Sequence, residues 1–405
     1  PKNRIFLPEA FDNMGRIRYK GNFTGFIDDF VAYGTVNSDL GEISTDLLIQ
    51  PRQMEGLAMN GNLKTRNFDI GGLLNNKQQV GKFSMDMQVK GSIFKDDGFQ
   101  AQTDGTIRKL EIFNYDYQNI RLNGLLTDKK YDGSLSIKDP NIQFDFSGGI
   151  DFSGEVPVFD FQAEMAQAKL DKLNIVEEDT TANLSFSLVS NFKGSNLDNA
   201  SGSIKISRGL LIKNNKDLEL DNFRIHAEHD EDIHRIALES DHLDANLVGK
   251  YRSTTLYQSL RNLTLSYLPV LINSEKDTAR VDFNNDFELT INLKNTQKIT
   301  EIFLPSLTLA DNSKVKLDYS GGENKAFQLT AHADDLRFKN WDFKNLQLDS
   351  RSQDSIFALH LDFDRLNTIA EKPSEYFHQF RLQSLTGNNN SKLLIQWNEP
   401  GTDEL

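Results

Sequence analysis

The sequence predicts an all-β chain built on a long antiparallel sheet with a few short helices. Three observations predict it: apolar residues recur at every second position, turn-forming residues separate these runs, and an eight-residue pattern returns three times.

From Val281 the odd positions read Val281, Phe283, Asn285, Phe287, Leu289, Ile291 and Leu293, with polar residues between them. Successive strand side chains point to opposite faces, so this stretch has one apolar and one polar face. The same alternation places Phe83, Met85, Met87 and Val89 on one face, as it does Phe159 and Phe161, then Leu184, Phe186 and Leu188, and finally Phe357, Leu359, Leu361 and Phe363. Asp132-Gly133, Gly148-Gly149, Gly321-Gly322 and the Asn388–Asn390 cluster read as turns. About thirteen residues per strand and turn give about thirty strands, arranged as a meander with one buried face.

The repeated pattern is YDYQNIRL from Tyr115, LELDNFRI from Leu218 and WDFKNLQL from Trp341. A leucine follows each asparagine by sixteen residues: Leu135, Leu238 and Leu361 follow Asn119, Asn222 and Asn345. A second anchor, VKGS at Val89 and FKGS at Phe192, places Gly91 and Gly194 each 28 residues before its asparagine, and both anchors give an offset of 103 residues. Two anchors in one register make the repeat real. It divides the chain into sheet segments 1–66, 67–170, 171–250 and 281–405, with a helical insert at 251–280.

That insert carries the best helix candidate, residues 254–268, where Leu256, Leu260, Leu263 and Tyr267 form one stripe and Pro269 ends it. Its polar face has one base, Arg261, where a membrane-surface helix would be rich in them, so packing on the sheet is expected. Shorter helical turns are expected at Pro8–Asn13, Asp69–Leu74 and Gln297–Phe303.

Composition narrows the function. The formal net charge is −14, with acids and bases interleaved, which argues against nucleic acid and against charge-driven docking on an anionic membrane. There is no cysteine, so disulfides and thiolate chemistry are excluded. No apolar run approaches the ~20 residues of a membrane-spanning helix. Phenylalanine occurs 28 times against 2 tryptophans, and it sits mid-strand, unlike the aromatic girdles of an outer-membrane barrel.

No catalytic constellation is found, and no enzyme, cofactor or metal is expected. His226, Glu228, His229, Asp230, Glu231, Asp232 and His234 form a ligand-like cluster, but the repeat places it at a hairpin tip. Asp28-Asp29 and Asp96-Asp97 lie in turns without EF-hand spacing. His332, His360 and His378 are expected on the polar face.

Stretches such as NFDIGGLLNNKQQVGKFSMDMQVKGSI from Asn67, KLDKLNI from Lys169, FKGSNLDNASGSI from Phe192 and LPSLTLADNSKVKLDYSGG from Leu304 resemble the TamB and AsmA-like envelope proteins, in the style of Bacteroidota-type bacteria. The resemblance runs from about Gly15 to Phe363. It implies an open, U-shaped β-groove (a β-taco) in the periplasm, of which this chain is an interior segment, with an inner-membrane anchor outside it. It also implies phospholipid transport between membranes along the apolar lining, with phospholipid acyl chains as ligand. An outer-membrane barrel-assembly protein with POTRA domains would dock through regions beyond this segment. The alternative function is a scaffold or chaperone for outer-membrane protein assembly. Two readings of the alternating residues stay open: a lipid-lined groove, or sheets packed on themselves.

Overall fold

The computed structural model describes residues 9–52, 56–94, 98–177, 180–230, 232–267, 284–321, 326–353, 356–369, 375–387 and 390–398. Phe283, Val281, Pro8, Asp96-Asp97, Glu231, Leu268, Pro269, Gly322, Asn388 and Asn389 lie outside them. The chain is all-β, with 25 strands among the described residues against the thirty expected, and every pairing described is antiparallel. It forms two compact units, Pro1–Asn191 with Arg208–Asn215, and Phe192–Ser207 with Lys216–Leu405.

The first unit is a meander. Strands β1 (Arg18–Phe26), β2 (Asp29–Ser38), β3 (Gly41–Arg52) and β4 (Gly56–Arg66) pair in order, and β4 pairs with β6 (Val80–Phe94). Short β5 (Phe68–Asp69) also lies on β6, and α1 (Ile70–Leu73) follows it. The meander continues through β7 (Phe99–Ile112), β8 (Tyr115–Thr127), β9 (Lys130–Lys138), β10 (Ile142–Asp151) and β11 (Val158–Lys169), with β12 (Ala182–Lys193) next in the chain. Phe113 and Asn114 join β7 to β8 with φ of 50° and 62°, the two positive angles that suit a tight turn to strand twist.

Asp132-Gly133 and Gly148-Gly149 are not turns; they lie inside β9 and β10. Glycine marks close backbone approach as well as turning. A Cβ on Gly133 would stand 2.2 Å from the Asn123 carbonyl oxygen, so the neighbouring strand excludes any side chain there. Asp28-Asp29 does sit at the β1–β2 turn.

In the second unit, Gly202–Ile206 of β13 (Ser201–Lys213) pairs with β15 (Phe223–Asp230), which follows β14 (Lys216–Leu220). The order then runs β16 (Ile233–Glu239), β17 (Leu243–Lys250), β18 (Asp286–Leu293), β20 (Lys314–Ser320), β21 (Ala326–Phe338), β22 (Trp341–Gln353), β23 (Ile356–Thr368), β24 (Glu375–Gly387) and β25 (Asn390–Asn398). Between β17 and β18 lies α2 (Ser253–Tyr267), close to the expected 254–268; α3 (Gln297–Phe303) and β19 (Leu307–Leu309) precede β20. The expected turn at Pro8–Asn13 is a 3₁₀ helix at Glu9–Met14.

Neither unit has the thick core of a two-layer domain. The accessible surface is 26040 Å². Even two separate compact globules of half the 46.0 kDa mass would expose only about 19,000 Å². The buried clusters are local. Met14, Phe68 and Phe83 form one, beneath the 3₁₀ helix and α1; Ile142, Ala168 and Leu173 form another, where the chain turns after β11. Both lie at the strand ends that carry the Phe113-Asn114 turn. The sheets are open and one-faced, as a groove requires.

Candidate functional site

Cross-strand register converts the alternation into continuous rows. In the second unit Ile204, Ile225, Leu238, Ala245, Ile291, Val315, Ala331, Leu348, Leu361, Leu382 and Ile395 pair in that order across eleven strands. At ~4.8 Å per strand this row runs about 48 Å. Every member is half-buried except Ile395 on the last strand, which is exposed. A row beneath a second sheet would be fully buried; this one is covered by its own neighbours and little else.

The first unit repeats the arrangement. Met85, Ile107, Ile120, Ile137, Phe144 and Met165 form a row across six strands. Beside it run Leu63, Met87, Gly105, Leu122, Leu135, Phe146 and Ala163. No titratable side chain interrupts these rows.

The opposite face is charged. Asp86 takes Lys64 at 3.0 Å and Arg108 at 3.2 Å, and Lys316 lies between Glu288 at 3.3 Å and Asp318 at 3.4 Å. Such exposed pairs stabilise little, but they keep that face in water. Each unit has a hollow, of about 860 Å³ in the second unit and 670 Å³ in the first. The larger is lined from both faces, by Glu288, Asp318, Gln328 and Arg351 on one and by Phe287, Tyr319 and Phe327 on the other. Neither hollow includes a member of the rows above.

The described residues expected on one face share it. Phe83, Met85, Met87 and Val89 line β6; Phe159 and Phe161 line β11; Phe287, Leu289, Ile291 and Leu293 line β18; Phe357, Leu359, Leu361 and Phe363 line β23. On β12, Ser187 meets Arg208 on the charged side, which turns Leu184, Phe186 and Leu188 to the other; Leu184 packs against the same buried cluster as Phe144 and Met165. Phe83, Met87, Val89, Phe287, Phe357 and Phe363 are buried and the rest half-buried. Alternation alone did not single out Leu122, Phe146, Leu348 and Leu382. The leucine sixteen after each asparagine was the available signal: Leu135, Leu238 and Leu361 pair with Leu122, Ile225 and Leu348, three after the same asparagines.

Helix α2 covers one end of the second unit's apolar face. Leu256 packs on Tyr251, Phe287, Leu317 and Tyr319. Asn285, the polar residue in the Val281–Leu293 alternation, is fully buried beneath the helix. Its Oδ1 accepts from the Arg252 amide at 2.9 Å, and its Nδ2 donates to Thr255 Oγ1 at 3.1 Å and Ser259 Oγ at 2.7 Å. Asp198 accepts from the Ser253 amide at 2.6 Å at the helix start. Burial, with Asp198 nearby, pushes the Tyr251 phenol up to about 12.

The histidine cluster lies at the β15–β16 hairpin tip, where His229 and His234 hydrogen-bond Nδ1 to Nδ1 at 2.8 Å. No group of three potential metal ligands is found among the described residues. His332 is exposed beside Asp334, and His360 pairs with Asp349 on the polar face. No described helix is long and apolar enough to cross a membrane. The chain matches no family model, no curated protein and no solved structure.

Proposed function

We propose that the chain is an interior segment of a TamB/AsmA-like periplasmic protein, and that its apolar face carries phospholipid acyl chains between membranes. The observation that supports this most is the eleven-strand row from Ile204 to Ile395, half-buried and backed by a charged face. Each methylene kept from water is worth about 0.8 kcal/mol, so a sixteen-carbon tail exposed to water costs on the order of 12 kcal/mol. A continuous row of aliphatic side chains offsets that cost along its length. It offers no polar group to fix one lipid in place, which suits passage better than storage.

Lipid extracted from the purified chain and identified by mass spectrometry tests the reading. Phe146→Asp with Leu361→Asp puts charges mid-row, outside the buried clusters. Phospholipid on the parent and none on the folded double variant is expected. A parent that carries no lipid and takes none from vesicles would sink it.

One observation favours the scaffold reading. Among the described residues strand β25 pairs only with β24, and Leu393, Leu394, Ile395 and Trp397 are exposed on it. An open apolar edge can accept an added strand. Binding of unfolded barrel strands by a lipid-free chain would favour that role.

A further inference from the structure

One end of the second unit's strands carries a line of exposed apolar side chains. Leu304, Phe338, Trp341, Ile369, Tyr376 and Trp397 are each 40–55% exposed. They come from six chain segments, yet the backbone ties four of these into one rim and ring contacts add the other two. Leu307 donates to the Leu304 carbonyl and pairs with Phe338; Lys339 donates to the Ser306 carbonyl at 2.7 Å. Trp341 pairs with Phe338 and with Thr368, and Ile369 donates to the Asn340 carbonyl at 2.8 Å. The rings of Trp341 and Tyr376 stand 5.5 Å apart. Trp397 joins through Phe377, which adjoins Tyr376 in β24. Five strand steps make the rim about 24 Å long.

The charges here are sorted. Asp335 and Asp342 are held by Arg337 and Lys344. Lys339, at the hairpin tip, stands 5.5 Å from the Phe338 ring centre with no carboxylate partner among the described residues. Indole, phenol and a snorkelling lysine around an apolar line match the boundary between headgroups and acyl chains.

We propose that this rim docks into the interface of a phospholipid bilayer, through ring burial and without need of anionic lipid. It lies at one strand end of the face that carries the rows, and the two readings fail separately: bilayer docking needs no lipid bound to the rows.

The chain supplies its own reporter, because its 2 tryptophans, Trp341 and Trp397, both belong to this rim. The full chain is titrated with neutral phosphatidylcholine vesicles. A blue shift of tryptophan emission is expected, with quenching when the acyl chains are brominated, and little change with added salt. The variant Phe338→Ser/Trp341→Ser/Tyr376→Ser, with unchanged circular dichroism, is expected to float with vesicles at least about tenfold less well. Tryptophan emission indifferent to vesicles overturns the proposal, even if the chain floats, since contact would then lie elsewhere. A folded triple variant that floats like the parent overturns it too. The quenching arm uses the parent alone and decides the matter if the triple variant does not fold.

Discussion

Asn119 and Asn345 hold the same left-handed backbone, φ 51° and 53°, inside strands β8 and β22. Each amide donates to the residue nineteen further on, Asn119 to the Lys138 carbonyl at 3.3 Å and Asn345 to the Asp364 carboxylate. Asn222 donates likewise to Asp241 at 3.0 Å, at a break between β14 and β15. The angle explains the motif. Its apolar positions fall two and four before the asparagine but one and three after it, which simple alternation would send to opposite faces. The left-handed residue reverses the phase. Tyr115 and Tyr117 thus pack against the same buried cluster as Ile137, the partner of Ile120, and Phe343 meets Phe363 at 5.5 Å, on the face of Leu361.

The first prediction concerns that phase. Asn345→Gly keeps the angle and loses one hydrogen bond, at a cost of about 1 kcal/mol. Asn345→Val adds the left-handed penalty of about 1–2 kcal/mol and is expected to lose more. Urea unfolding of both variants checks this. Equal losses would remove the backbone angle as the reason for the asparagine.

The motif was legible as a string before its purpose was. Alternation assumes that every strand residue is extended, so a residue that reverses the faces looks like an imperfect strand. Phe287, Leu289 and Ile291 could be assigned to one face because their segment has no such residue. The eleven-strand row was not legible, since it depends on register between strands far apart in sequence. Asn285 read as a lapse in an apolar run; it is the seat of α2.

Glycines side by side in β10 make the second prediction. Gly148 has φ 132°, and a Cβ there would stand 2.4 Å from the Asp160 carbonyl oxygen. The nearest atom to a Cβ on Gly149 is 3.8 Å away. Gly148→Ala is expected to cost about 3 kcal/mol, whereas Gly149→Ala is neutral or stabilising by about 0.5 kcal/mol. The same substitution one residue apart separates strain from glycine content, and thermal unfolding of the pair reads it.

Removing the buried Asn285 side chain tests the seat of α2. Asn285→Ala leaves the Arg252 amide and the Ser259 hydroxyl without that partner beneath the helix. The expected loss is about 2–3 kcal/mol, with faster hydrogen exchange in α2 than in β20 or β21. A uniform rise in exchange across the unit would mean that Asn285 supports the sheet as a whole.

Acid is expected to loosen the β15–β16 tip before the rest of the second unit. Burial lowers the His234 pKa, and the charge of His229 lowers it further; Asp198 and Asp232 oppose both. Lys250 draws Asp232 away at 2.6 Å, and Tyr251, 5.2 Å from the His234 ring, is neutral in this range. A histidine whose folded pKa lies below its unfolded value of 6.5 favours folding while neutral. That contribution is present above pH 6.5 and is lost as pH falls through the folded value. Amide exchange at Ile233–Arg235 is therefore expected to quicken below that point, ahead of β21 and β22. His234→Phe keeps the ring contact with Tyr251 and removes the proton site, so the early acid step should vanish. A step that survives the substitution would assign it to His229 or the carboxylates instead.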